Sequence, residues 1–236
     1  GEAIAKAVAA GGGEVCITWN RGQAEARDVV EQIVTSGGRA NAIHVDVANA
    51  DSLSLTFAPT HLFYLATPFI RIEKGAGFDH EQFDALVRCY VHGLDDVVRA
   101  VHRVVGAGFH VFSPSTELLS TPACGSSAYC AAKAAMEELL AHLSRDLRIS
   151  VSAPRLGRIA TDQTSSLMHT PAADRVDVAL EYFGHSDRTQ PPWTLPVRSQ
   201  RLQTAPPRAN SDAARAGAHA HSRAQVAARR RNQHSD

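Results

Sequence analysis

The sequence predicts an α/β fold on a doubly wound parallel sheet, and three features carry that prediction. Strand-like and helix-like segments alternate from the first residues to about residue 183, the pattern of successive βαβ units. Strand segments such as HLFYLATPF are largely apolar, as expected where helices cover both faces of a sheet. Glycines close the early helical segments, at Gly11 to Gly13 and again at Gly37 and Gly38, where a helix commonly stops.

Each element can be justified in turn. AIAKAVAA combines helix formers with an apolar stripe and ends at the glycines, and EVCITW (14–19) is β-branched and aromatic, so a strand follows a helix. AEARDVVEQIVTSGG returns to helical periodicity, and RANAIHVDV (39–47) reads as the next strand, with Asp46 near its end. The short stretch around SLSLTF has room for one helical turn before a buried strand at 61–69. EQFDALVRCYVHGLDDVVRAVHRVV (81–105) predicts one long amphipathic helix leading into strand FHVFS. A helix containing AYCAAKAA, a strand RISVSAP and a last large helix RVDVALEYF complete a single domain over residues 1–185. Residues 186–236 are rich in Pro, Arg, Ala and His, with neither period and no lysine. A disordered tail, or text read out of frame from a GC-rich gene, is expected there.

Composition narrows the function classes. A hydrophobic share of 44% and a charged share of 20% fit a globular protein. A formal net charge of +0 argues against a nucleic-acid binder, the basic tail offsetting an acidic domain. Cys16, Cys89, Cys124 and Cys130 form no C-x-x-C pair, which speaks against a disulfide framework or zinc site and for a reducing, cytoplasmic compartment. His219 and His221 in the tail lack Cys or carboxylate partners, so no metal site is expected. No apolar run approaches the length of a membrane span.

The stretch AYCAAKAA places Tyr129 four residues before Lys133. At that spacing a phenol and an ammonium share a helix face, which by itself can be an ordinary neighbour pair. The surroundings add to it. FHVFSPST lies upstream, with Ser115 fourteen positions before Tyr129 and Thr116 thirteen. SVSAPRLGRIATD downstream offers Pro154, Gly157 and Thr161. At the front, Gly1 opens a helix, and HVDVAN carries Asp46 and Val47.

In this order the segments resemble the short-chain dehydrogenase/reductase family over residues 1 to about 183. The resemblance implies a Rossmann-type sheet and an NAD(P)-dependent oxidoreductase. It makes Tyr129 the general acid, Lys133 the group that lowers the phenol pKa and holds the nicotinamide ribose, and Ser115 the orienter of the carbonyl oxygen. Lowering the phenol is chemically useful because a free one, with a pKa near 10, exchanges its proton poorly at neutral pH. The resemblance also puts Gly1, Asp46, Val47, Ala66, Thr67, Pro154 and Thr161 at the cofactor. At the end of the second family strand, NAD binders usually carry an acidic residue. Here stand Asn20 and Arg21, and an arginine suits a 2′-phosphate, so NADP(H) is expected over NAD(H).

The implied partner is a small carbonyl or alcohol substrate, first a 3-ketoacyl thioester, with neither nucleic acid nor membrane. Fold analogy adds a homo-oligomer paired through the 81–105 helix. An epimerase or dehydratase on the same fold, and a catalytically silent nucleotide-binding or regulatory protein, are the alternatives. The chain also departs from the family pattern. Tyr64 and Leu65 stand where the family has asparagines after its fourth strand, and Tyr90 replaces a relay asparagine. Opening at Gly1, the chain is expected to lack the first strand and glycine turn, leaving a gap in the 3-2-1-4-5-6 sheet and a fragment without activity.

Overall fold

The computed structural model describes residues 1–53, 55, 57–71, 77–160 and 172–184 of the 236-residue chain. The expected tail and the domain limit at residue 185 fall outside them. Helix α1 (Glu2–Ala10) leads to β1 (Glu14–Trp19), α2 (Gln23–Thr35) and β2 (Arg39–His44). After a 3₁₀ turn at Val47–Ser52 come β3 (His61–Phe63), α3 (His80–Val87), a π-helical turn (Arg88–Gly93) and α4 (Leu94–Val105). The chain continues through β4 (His110–Phe112), β5 (Ser115–Thr116), a 3₁₀ turn at Glu117–Leu119 and α5 (Ser127–Asp146). It then enters β6 (Ser150–Ser152), β7 (Arg155–Leu156) and α6 (Arg175–Gly184).

The strands pair in parallel, as expected of βαβ units. β1 and β2 run in register from Glu14↔Arg39 to Trp19↔His44. β3, β4 and β6 form a second ladder, with His61 beside His110 and His110 beside Ser150. A short pair, β5 and β7, joins Ser115 to Arg155 and Thr116 to Leu156. Among the described residues no ladder joins β1 to β3.

The main core lies around the second ladder. Leu94, Val98 and Val101 of α4 and Ala132, Met136, Leu140 and Leu143 of α5 are buried in one cluster with Val111 and Val151. Each fully buried aliphatic side chain contributes about 1.5–3 kcal/mol. The β1–β2 pair is held by a thinner cluster, in which only Ala5, Ala9 and Ile33 are fully covered.

Several elements depart from the sequence reading. β3 spans three residues of the nine expected: Tyr64 still donates its N–H to Phe112 O at 2.8 Å, but Pro68 has no N–H to extend a ladder. A 3₁₀ turn spans Val47–Ser52, and Ser54 and Thr56 of the SLSLTF stretch lie outside the described residues. The 81–105 helix is interrupted at Arg88–Gly93. There the Tyr64 phenol donates to Cys89 O at 2.6 Å, the carbonyl that an α-helix gives to the N–H of Gly93. A side chain at Gly93 would put Cβ 2.6 Å from Val47 O, so only glycine allows this close crossing.

Candidate active site

The reactive pair sits in the first half of α5, a 20-residue helix rich in alanine. Ser126 precedes it, its hydroxyl donating to Ala123 O at 2.7 Å and its carbonyl accepting Cys130 N at 2.8 Å. The i,i+4 spacing then sets Tyr129 and Lys133 on one face, turned toward the ends of β4 and β5.

Lys133 is 6% exposed. Its Nζ donates to Pro114 O at 2.7 Å and lies 3.9 Å from the centroid of the Tyr90 ring. Burial pulls its pKa down to about 8, against the opposing influence of Cys89 and Glu137. Tyr129 is half-buried and meets Tyr90 edge-on at 6.2 Å. Burial raises the Tyr129 phenol above its ordinary value, and the nearby Thr116 side chain acts the other way. In this arrangement burial, rather than the ammonium one turn on, is the largest influence on the phenol.

Of the two β5 side chains, Thr116 is the one that influences the Tyr129 phenol. Ser115 precedes it in β5, and successive side chains of a strand point to opposite faces, so the two cannot both address the phenol. Ser115 is 5% exposed, and its Oγ faces the Glu137 carboxylate without a well-formed hydrogen bond. Glu137 is engaged by Arg155 through two bonds of 2.8 and 2.7 Å, which fasten β7 to α5. The thirteen-residue spacing from Thr116 to Tyr129 was visible in the sequence, but the facing was not.

Of the residues expected at a cofactor, Asn20 and Arg21 follow β1, Asp46 and Val47 follow β2, Ala66 and Thr67 follow β3, and Pro154 follows β6, at carboxyl ends of strands, where ligands bind in open α/β sheets. Gly1 caps α1, and a Cβ there would meet only Leu65 Cδ1, at 3.9 Å. Asn20 and Arg21 follow β1 and are exposed. Asn20 Nδ2 donates to Asp46 Oδ1 at 3.3 Å, and Asp46 also accepts from Ala48 N at 3.0 Å and Asn49 Nδ2 at 3.1 Å. Val47 is half-buried at the start of the 3₁₀ turn, as is Ala66 after β3. Thr67 is exposed, and its hydroxyl pairs with Tyr90 Oη at 2.5 Å. Pro154 O accepts Ser115 N at 2.8 Å, and Thr161 lies outside the described residues. This set fits a dinucleotide: an exposed asparagine and arginine after β1, the arginine forming no ion pair among the described residues. Beside the first turn of α5 a cavity of about 260 Å³ is lined by Pro122, Cys124, Ser126, Ser127 and Cys130, among others.

A doubly wound α/β fold with a Tyr–Lys pair at the carboxyl ends of its strands is the class that these features define. Residues 1–172 match the family described as short chain dehydrogenase, and the chain belongs to that family. It is 26% identical to versicolorin reductase 1 of Dothistroma septosporum over 188 residues, 74% of this chain and 72% of that protein. It is 27% identical to a 3-oxoacyl-[acyl-carrier-protein] reductase of Synechocystis over 199 residues, 76% of this chain and 77% of that one. Among solved structures, a short chain dehydrogenase from Burkholderia cenocepacia in complex with NADP superimposes with a TM-score of 0.66 at 28% identity, covering 75% of this chain and 81% of that one. No helix among the described residues is long and apolar enough to cross a membrane.

Proposed function

We propose that the chain is an NADP(H)-dependent oxidoreductase that reduces a small carbonyl compound to an alcohol, with 3-ketoacyl thioesters as the substrate class. The observation that carries this reading is Tyr129 with the Thr116 side chain acting on its phenol, one helical turn before the buried Lys133. Two relatives named as reductases and a structural neighbour in complex with NADP support it.

The bound nicotinamide supplies the hydride. Tyr129 gives its phenolic proton to the oxygen as negative charge develops there, and burial keeps that phenol protonated at neutral pH, as a general acid requires. Thr116, whose side chain influences the Tyr129 phenol, supplies the hydroxyl we assign to the same oxygen, a role the family resemblance gave to Ser115. Lys133 places a positive charge behind the pair and carries the ribose contact that the family resemblance implies. Arg21 and Asn20, exposed after β1, take the adenosine end, with Arg21 on the 2′-phosphate. Asp46 shapes the adenine side through its turn, and Gly1, Val47, Ala66, Thr67, Pro154 and Thr161 line the remainder.

One observation favours a second reading, a silent nucleotide-binding protein. The Lys133 ammonium is spent on Pro114 O and the Tyr90 ring. NADPH titration by nicotinamide fluorescence, followed by turnover of acetoacetyl thioester, separates the two. Binding with turnover that Tyr129→Phe abolishes is the expected result; binding without turnover establishes the silent protein, and no binding by the folded chain overturns both.

A further inference from the structure

Lys133 is a buried cation without a buried anion. Among the described residues no carboxylate forms an ion pair with it. Its polar partners are Pro114 O at 2.7 Å and Met136 Sδ at 3.7 Å. One carbonyl and a thioether offset little of the cost of taking an ammonium out of water. The remaining contact is the face of Tyr90, 3.9 Å from Nζ to the ring centroid, with the ring itself 2% exposed. A desolvated cation over an aromatic face is one of the stronger forms of that interaction.

The ring is in turn held at both ends. Its hydroxyl pairs with Thr67 Oγ1 in the loop after β3, and its backbone lies in the π-helical turn Arg88–Gly93. That turn is fixed by Tyr64 through Cys89 O and by the close approach of Gly93 to Val47 O. The asparagine that the family pattern puts at this place has no ring face to offer.

We propose that Tyr90 is a positioning residue for Lys133: its ring face holds the ammonium beside Tyr129, and its hydroxyl ties that arrangement to Thr67. Its consequence for catalysis rests on the reductase reading; the contact itself does not. The ionisable groups around Lys133 are Cys89 from the π-helical turn, Tyr90 itself, and Tyr129 and Glu137 on α5.

The chain has three lysines, Lys6, Lys74 and Lys133, so ¹³C-lysine labelling of the full chain gives a spectrum that three variants can assign. In the wild type the Lys133 ε-CH₂ protons are expected upfield of those of Lys6 and Lys74, shielded by the ring current. Tyr90→Phe keeps that shift. Tyr90→Leu loses it and lowers the Lys133 titration midpoint by about half a unit or more, because the ring favours the charged form. A wild-type Lys133 without the upfield shift overturns the proposal, and needs no variant to fold. A midpoint that stays or rises in a folded Tyr90→Leu protein also overturns it.

Turnover of acetoacetyl thioester with NADPH reads the catalytic consequence. Tyr90→Phe should lower kcat about threefold or less and Tyr90→Leu about tenfold or more, with rescue by the aromatic residue separating positioning from mere packing. Equal rates in both variants overturn the positioning role. If no NADPH binds, the reductase reading falls, and the lysine spectra still decide on Tyr90.

Discussion

Tyr64 and Cys89, 25 residues apart, are joined by a 2.6 Å hydrogen bond from phenol to backbone carbonyl. The bond reaches into the helical ladder between α3 and α4 and coincides with its π-helical turn. It thereby sets the backbone from which Tyr90 faces Lys133.

Removing either support of that turn should cost stability. Tyr64→Phe leaves a buried carbonyl short of a partner, about 1–3 kcal/mol. Gly93→Ala forces a methyl to within 2.6 Å of Val47 O and should cost about as much or more, since backbone must move. Urea unfolding of each variant checks both. A Gly93→Ala protein as stable as the wild type would contradict the close crossing.

Thr116 and Ser115 should separate in kinetics. Thr116→Val removes the hydroxyl assigned to the substrate oxygen while keeping the shape, and kcat should fall on the order of 100-fold. Ser115→Ala removes a hydroxyl turned to Glu137 and should cost far less. The ratio of the two losses, measured with one ketoacyl thioester, is the deciding quantity.

Arg21 should govern the choice of cofactor. Replacing it with alanine removes the charge placed for a 2′-phosphate, weakening NADPH about tenfold while NADH binding holds. Parallel fluorescence titrations with the two nucleotides read the difference, and equal losses for both would remove Arg21 from that role.

His110 should make stability depend on acid. It is 6% exposed in β4, across from His61, with ring centroids 5.9 Å apart. Burial first and His61 second lower its pKa from 6.5 to about 4. The unfolded chain therefore binds the proton more readily than the folded one. Stability is full above about pH 6.5 and is lost as pH falls toward 4, on the order of 2–3 kcal/mol in all. His110→Leu should flatten the change in urea midpoint between pH 7.5 and 5; an unchanged slope would place the acid sensitivity elsewhere.

What the sequence determined by itself is what short-range chemistry encodes. The strand EVCITW occupies its expected limits, 14–19, because a β-branched run is bounded there by glycine and turn residues. Tyr129 and Lys133 share a face because four residues make about one helical turn. The alternation of segments carried the α/β class, and the order of motifs carried the family.

Tertiary structure decided whatever depends on partners far along the chain. Which of Ser115 and Thr116 meets Tyr129 follows from the pairing of β5 with β7, some forty residues on, because a strand's two faces are equivalent until a neighbour covers one. The interruption of the 81–105 helix has no local signal; it follows from Tyr64 reaching Cys89 O and from Val47 O passing Gly93. The partner of Lys133 was hidden for the same reason. Local spacing states which residues can be neighbours on one element, and only packing between elements selects which group stands opposite them.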